Sequence, residues 1–346
     1  TDDGRDTIVY GKIPVDRLAE GTVQYFLEDG TPLKEGKYRT TDLSKSEQGF
    51  YVTANGLKSD VFKVSIREPF AEDAYETITY PVVFHLIQDK TKVELGQGVG
   101  ADIVNYAFNT IYNCFARTAA FSPNGADTKI RFRLAEYDPN GRKMEEKGIN
   151  RYSLSTSDLN NLNPEKIKNN PKICWDYKRY LNIWIVENMG NSVSTPHYIL
   201  NTADLNQIQG VSFEQLSLEE IEKQEYSLTD IGLIYGARDF AIEDVGYPTQ
   251  MGKFFGLLDT ENQKEDYCED TFAYNTYKEP WNTALEGSNS RLKISTDGLI
   301  FYSVNIMDAS SYKNTISMDQ VKRIRTITDN CPHRWAWKSD WAFTGK

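Results

Sequence analysis

The side chains best suited to metal binding or nucleophilic catalysis are few and widely separated in this sequence. The chain has 346 residues and three histidines, none within one helical turn of another. His85 lies inside an apolar run, so we interpret it as a core residue, whereas His197 and His333 each follow a proline and are interpreted as loop or tail residues. No G-x-S-x-G elbow and no His-Glu dipeptide is present. Short motifs therefore indicate neither a local histidine-rich zinc site nor a serine nucleophile.

One segment nevertheless has the spacing of a zinc-protease helix. The motif H-E-x-x-H-x-x-G-x-x-H places two histidines one turn apart, a glutamate beside the first, and a third histidine beyond a glycine turn. With Gly256 as that glycine, the ligand positions read Thr249, Lys253 and Asp259, and the glutamate position reads Gln250. Apolar residues remain at i, i+3, i+4 and i+7, which predicts one buried helix face; they are Met251, Phe254, Phe255 and Leu258.

These four replacements affect both the metal and the base that zinc hydrolysis needs. Zinc is held by imidazole, thiolate or carboxylate ligands, whereas Thr249 offers a neutral hydroxyl and Lys253 an ammonium without a lone pair. Asp259 alone cannot hold the ion, and the amide of Gln250 cannot accept a proton from a metal-bound water. We therefore expect no zinc here. The turn at Gly256 would bring Asp259 back towards Lys253, so we expect an ion pair, with a solvent-facing Lys253 as the alternative.

Length and composition indicate how large the fold can be, and the net charge limits the classes of binding partner. The length allows two domains, and 21 tyrosines and 16 phenylalanines can build a sizeable core. A net charge of −11 argues against nucleic acid or an anionic membrane as partner. No run approaches the ~20 apolar residues of a membrane span. The four cysteines leave two disulfides or four free thiols open; they are Cys114, Cys174, Cys268 and Cys331.

The N-terminal part of the chain has the pattern of short antiparallel strands. Turn residues such as Asp29-Gly30 and Asn55-Gly56 separate segments of alternating character. The predicted strands are Thr7–Ile13, Gly21–Leu27, Gly36–Thr40, Gly49–Ala54 and Val61–Ile66. We predict a small all-β immunoglobulin-like sandwich domain over residues 1–75.

From residue 76 onward the pattern is that of an α/β domain. The predicted strands are Pro81–Ile87, Lys129–Ala135, Tyr180–Val186 and Thr229–Tyr235. One helix is predicted over Ala101–Thr118, and Ser317 and Gln320 have the capping-box spacing that opens another helix through Ile327. We predict one α/β (α+β) domain over residues 76–346, with a twisted mixed sheet and a helix that carries Thr249 and Lys253.

Several segments of this second part occur in an order that resembles one clan of peptidases. They are Pro81–Ile87, Ile130–Ala135 with Asp138–Gly141 and Gly148–Arg151, Tyr180–Val186, Asn305–Asp308, and Cys331–Trp337. Together they are similar to the metzincin clan, specifically to pappalysin-like (ulilysin-like) metallopeptidases and to a branch of secreted bacterial metalloprotease lipoproteins. The resemblance covers roughly residues 80–340, and it implies a metzincin-like catalytic-type fold with a degenerate zinc motif.

The resemblance also assigns structural roles to residues outside the helix. Met307 occupies the place of the Met-turn methionine, which lies beneath the metal in the family, and Ala309 stands where the family commonly has a tyrosine. Asp266 and Asp270 are similar to an acidic segment that can hold structural calcium in relatives. An ordinary acidic loop is the alternative for these two residues.

The function implied is that of a catalytically inactive pseudopeptidase. A metzincin fold without its metal would keep a cleft for an extended peptide or protein ligand. One alternative is an active endopeptidase whose metal is held by acids such as Asp259, Asp266 and Asp270. Another is a glycan-binding or structural surface protein. The resemblance further implies a secreted or bacterial-envelope location, with a lipid anchor on a cysteine upstream of Thr1.

Overall fold

The structure is a computed structural model that describes residues 8–9, 23–66, 71, 73–119, 125–241, 246–260, 265–274, 292–295, 300–308 and 313–346. The chain forms two compact units. The first comprises residues 1–74 and 121–125, and the second comprises residues 75–120 and 126–346.

The described part of the first unit is built from antiparallel strands. They are β1 (Ile8–Val9), β2 (Val23–Leu27), β3 (Lys37–Tyr38), β4 (Glu47–Ala54), β5 (Leu57–Lys58) and β6 (Phe62–Ser65). Strand β4 is central, with β2 along one side and β5 and β6 along the other, while β1 pairs with β3. The turn Asn55-Gly56 between β4 and β5 has positive φ at both residues, as a tight hairpin requires. The immunoglobulin-like assignment and the boundary at residue 75 stay predictions.

The second unit is organised around a parallel sheet. Its strands are β7 (Ile78–Asp89), β8 (Ile130–Leu134), β9 (Ile149–Leu154), β10 (Leu181–Val186), β11 (Tyr198–Leu200), β12 (Glu214–Leu216), β13 (Gly232–Gly236), β14 (Leu292–Ile294) and β15 (Ile300–Tyr302). The main sheet has the order β13-β10-β7, and the other side of β7 pairs first with β8 and then with β9. All these pairings are parallel. Beyond β13, Ser192 forms an antiparallel bridge to Ile234, which makes this edge of the sheet mixed.

The described residues also form helices, several of which contact the main sheet. The helices are α1 (Lys90–Glu94), α2 (Ala101–Phe115), α3 (Thr156–Asn160), α4 (Pro164–Lys168), α5 (Leu218–Glu222), α6 (Ala237–Phe240), α7 (Tyr247–Phe254), α8 (Met318–Asn330) and α9 (Trp341–Thr344). Short 3₁₀ turns lie at Lys34–Gly36, Leu205–Gln207, Leu228–Asp230, Pro332–Arg334 and Ala336–Lys338. Within the described ranges, every helix is too short or too polar to span a lipid bilayer.

The buried centre of the sheet follows from the apolar runs of the sequence. All six residues of β10 are buried, and β7 is buried along nearly its whole length, as expected for strands covered on both faces. The capping box at Ser317 and Gln320 is present and opens α8. The predicted helix over Ala101–Thr118 ends earlier, at Phe115.

Candidate functional site

Glycines fix both ends of the helix that carries the zinc-motif positions. Gly246, the N-cap of α7, has φ 65°, and Gly256, just beyond its end, has φ 86°. A Cβ on Gly256 would lie 2.9 Å from Cγ1 of Ile327, so this turn both favours and sterically requires glycine. The helix therefore ends at Phe254, and the chain reverses. The prediction that Leu258 belongs to the buried face is therefore wrong. After the reversal Leu257 is buried, and Leu258 is only half-buried.

The side chain of Thr249 is fully used in hydrogen bonds. Thr249 is 7% exposed, and its Oγ1 donates to the carbonyl of Ile306 at 2.6 Å. The same oxygen accepts from Nζ of Lys313 at 3.0 Å. A lysine ammonium therefore lies beside the first ligand position of the motif. No sequence motif marked Lys313, a single lysine in a polar stretch 64 residues away.

Lys253 and Asp259 form the ion pair expected from their spacing around the turn. Nζ of Lys253 lies 2.9 Å from Oδ2 of Asp259. The two side chains are 30% and 46% exposed, so the pair lies at the surface of the site. At that exposure its contribution to folding is about 1 kcal/mol or less.

Met307 packs directly beneath α7. It is 2% exposed, and its Sδ would lie 3.0 Å from a Cβ placed on Gly252. Gly252 stands between Thr249 and Lys253 on the helix, so the methionine supports the turn that carries both. Ala309, two residues further on, lies outside the described residues.

Gln250, at the position of the catalytic glutamate, is half-buried. Its side-chain amide has no hydrogen-bond partner within the described part of the chain. An amide can donate and accept hydrogen bonds, but it cannot take up a proton at neutral pH. The residue is suited to binding a polar group of a ligand and unsuited to general-base catalysis.

The carboxylates of Asp266 and Asp270 both accept hydrogen bonds from other protein groups. The carboxylate of Asp266 accepts from the amide of Cys268 at 3.2 Å and from Oγ1 of Thr271 at 2.6 Å, and burial raises its pKa. Asp270 accepts from Oγ of Ser317 and from the amide of Asp319, at the start of α8. Calcium binding here stays a prediction.

The donors at the motif positions do not suit zinc. Catalytic zinc sites use three protein ligands with imidazole, thiolate or carboxylate donors. Here the positions offer a hydroxyl that is already bonded, an ammonium and one carboxylate paired with that ammonium. Among the residues that the structure describes, no three His, Cys, Asp or Glu side chains are grouped to hold a metal. Asp259, Asp266 and Asp270 are thus not brought together as a metal site.

An open sheet edge lies beside this helix. Ser192 exchanges two hydrogen bonds with Ile234 of β13, at 2.8 and 2.9 Å. Backbone groups alternate in direction along an extended chain, so those of Val193, next to the bridge, point away from β13. In the described residues, the backbone N–H and C=O of Val193 and of Thr195 have no protein partner. We call the segment Asn191–Thr195 the open edge.

The open edge adjoins the turn after α7. Pro196, its next residue, is buried, and its Cγ would lie 3.6 Å from a Cβ placed on Gly256. The open edge therefore leads to the same turn that Lys253 and Asp259 flank in the sequence. The polar sequence of this segment, Asn-Ser-Val-Ser-Thr, contains no alternation that could have predicted a strand edge.

The contacts found for the three histidines among the described residues involve none of Thr249, Gln250, Lys253 and Asp259. His85 is fully buried, as predicted, and its Nε2 and Nδ1 each lie 2.9 Å from an asparagine side chain, those of Asn182 and Asn150. Burial lowers the pKa of His85 to about 4. His333 lies in the 3₁₀ turn Pro332–Arg334, which agrees with its interpretation as a loop or tail residue. It is nevertheless 4% exposed, and its ring packs against Tyr177, Tyr198 and Tyr226. All four cysteines are free thiols in the structure.

Comparison with known proteins identifies the fold. No protein-family model and no curated protein sequence matches the chain. Among solved structures, the chain is similar to mirolysin in complex with compound 9, at 18% identity and a TM-score of 0.50, over 78% of this chain and 98% of that one. It is also similar to mature mirolysin from Tannerella forsythia in complex with a cleaved peptide, at 17% identity and a TM-score of 0.48, over 78% and 97% of the two chains. Mirolysin is a metzincin-type metallopeptidase. The chain thus has a mixed α/β architecture with a distant metzincin-like fold.

Proposed function

We propose that this protein is a pseudopeptidase, which binds an extended peptide or protein segment at the former active-site cleft without cleaving it. The observation that carries the proposal is that the open edge lies next to a helix whose motif positions lack zinc ligands and a general base. Val193 and Thr195 offer backbone donors and acceptors, while the adjoining helix presents Gln250 and a lysine–aspartate pair.

The open edge supports strand addition as the binding mode. An extended peptide that pairs with an exposed edge gains main-chain hydrogen bonds, which need no metal. The unpaired groups of Val193 and Thr195 have the spacing of one side of a strand. The unpartnered amide of Gln250 offers a further polar contact close to the Lys253–Asp259 pair.

Neither alternative function is favoured by a particular observation. An active endopeptidase with an acid-held metal needs Asp259, Asp266 and Asp270 to converge, but the last two bond to their own loop and to the start of α8. A glycan-binding role would use exposed aromatic side chains, and the open edge itself has none. As part of the proposal, the location is the bacterial envelope, with a lipid anchor; the resemblance of Cys331–Trp337 to envelope lipoproteins supports it.

The test is a binding measurement with a matched pair of variants. Peptides are selected from a random phage-displayed library against the whole protein, and their affinities are measured by fluorescence anisotropy. Val193→Pro removes one outward backbone donor, whereas Val193→Ala keeps the donor and changes only the side chain. We expect Val193→Pro to weaken peptide binding roughly tenfold and Val193→Ala to change it little. Equal affinities for the two variants, or no selected peptide at all, would refute the proposal.

A further inference from the structure

Few contacts hold the C-terminal half of the open edge in place. The bridge of Ser192 to Ile234 and a bond from the amide of Gly236 to Oδ1 of Asn191, at 2.9 Å, fix its start. Beyond the bridge, Oγ of Ser194 lies 2.8 Å from two acceptors, Oδ1 of Asp230 and the carbonyl oxygen of the preceding residue, Thr229. Nε2 of His197 lies 3.3 Å from the same Oδ1 of Asp230. One carboxylate oxygen of Asp230 therefore contacts the open edge at Ser194 and the chain just beyond it at His197.

Asp230 is well placed to act as a fixed anchor. It is 7% exposed, and its other oxygen, Oδ2, accepts from the amide and the hydroxyl of Ser227, at 2.6 and 2.8 Å. Burial alone would raise the pKa of Asp230, but the hydrogen bonds from Ser227 and Ser194 outweigh burial and lower that pKa. The carboxylate is therefore ionised at neutral pH and accepts charge-assisted hydrogen bonds.

A buried arginine joins this anchor to the helix of the site. Arg334 is 1% exposed, and its Nε donates to the carbonyl of Phe254, the last residue of α7, at 2.6 Å. Nη1 of the same guanidinium donates to the carbonyl of Asp230. Its guanidinium carbon lies 3.6 Å from the centre of the Phe254 ring. The planar guanidinium thus spans the two elements with fixed geometry.

We infer that Asp230 is a positioning residue for peptide binding, which holds the open edge in register with α7 through Ser194 on one side and Arg334 on the other. The inference rests on the proposed function, since it concerns how the edge is presented to an extended peptide. Asp230 itself touches no ligand in this account. Its role is to keep Val193 and Thr195 extended beside the turn at Gly256.

Two serines on the same carboxylate provide a matched comparison. Ser194→Ala removes the hydroxyl that tethers the edge, and Ser227→Ala removes a hydroxyl that bonds the other oxygen at the same 2.8 Å distance. Ser227 is not part of the open edge. Both variants lose one hydrogen bond to Asp230, so we expect similar losses of melting temperature. If the carboxylate had a purely structural role, the two variants would behave alike in every assay.

Two readouts separate positioning from stability. We expect Ser194→Ala to weaken binding of the phage-selected peptides roughly fivefold to tenfold and to speed hydrogen–deuterium exchange of residues 191–197. Ser227→Ala should leave both unchanged. Equal effects of the two variants on both readouts, or no effect of Ser194→Ala, would overturn the inference. Should the wild-type protein bind no peptide, the proposed function fails, and the exchange comparison alone still decides whether Asp230 holds the edge.

Discussion

The ammonium of Lys253 lies 2.9 Å from the carboxylate of Asp259, across a turn that only glycine fits. Two positions that hold histidines in the zinc motif are thus occupied by an internal cation and its counter-ion. The pair is partly exposed, so solvent screens it and each partner can also reach a bound ligand.

A double-mutant cycle on this ion pair should give a small, salt-sensitive coupling. The cycle uses Lys253→Met, Asp259→Asn and the double variant, with unfolding followed in denaturant. We expect a coupling free energy of about 0.2–1 kcal/mol, because the pair is partly exposed. The coupling should shrink at high ionic strength. Strict additivity at low salt would show that the contact contributes nothing in solution.

Gly256→Ala should destabilise the protein by about 1–3 kcal/mol. The residue has φ 86°, and its new Cβ would lie 2.9 Å from Ile327. The control is Gly190→Ala, where a Cβ meets nothing within 4 Å; it should change stability by no more than about 0.5 kcal/mol. Equal free energies of unfolding for the two variants would contradict the account of this turn.

Stability should fall as the pH drops from 6.5 towards 4. Burial lowers the pKa of both His85 and His333 from 6.5 to about 4, with Arg334 adding to the effect at His333. The unfolded chain takes up protons in this window and the folded chain does not, so the stabilisation is complete above pH 6.5 and lost as the pH approaches 4. Each histidine contributes a slope of at most about 1.4 kcal/mol per pH unit.

The variant His85→Gln isolates one of these histidines. Its free energy of unfolding should depend less steeply on pH than that of the wild-type protein between pH 6.5 and 4, because one titrating group is gone. Denaturant titrations at several pH values measure the difference. Parallel pH profiles would show that His85 is not held neutral in the folded protein.

Restoring the motif should create a zinc site that Lys313 opposes. The variant carries Thr249→His, Gln250→Glu, Lys253→His and Asp259→His. Nζ of Lys313 lies 3.0 Å from Oγ1 of Thr249, so its positive charge would lie beside the new ligands and repel the ion. We expect zinc binding in the fourfold variant and tighter binding once Lys313→Met is added. Competition with a chromophoric chelator measures both affinities.

Failure of both restored variants to bind zinc, while they remain folded by circular dichroism, would contradict the prediction. It would mean that positions 249, 253 and 259 do not converge as the spacing around Gly256 implies. Tighter zinc binding without Lys313→Met than with it would contradict only the role of Lys313.

Local sequence patterns predicted much of the fold and those contacts of the site that join residues close together in the chain. The apolar runs predicted β7 and β10, the capping box predicted the start of α8, and the spacing around Gly256 predicted the Lys253–Asp259 pair. Each of these depends on residues close together in the chain, where propensity and periodicity act directly.

Contacts between distant segments could not be predicted in the same way. Arg334 reaches Asp230 across 104 residues, and no local sequence pattern pairs the two. The buried position of His333 depends on tyrosines from other elements of the second unit. The open edge is defined by which backbone groups lack partners, and side-chain patterns do not encode that property.

The most direct measurement is whether a bound peptide is cleaved. A phage-selected peptide is incubated with the zinc-supplemented wild-type protein, and the complex is separated and analysed by mass spectrometry. We expect the peptide to be recovered bound and intact, with and without a chelator. Recovery of two fragments, abolished by the chelator, would show that the protein is an active metallopeptidase and refute the proposed function.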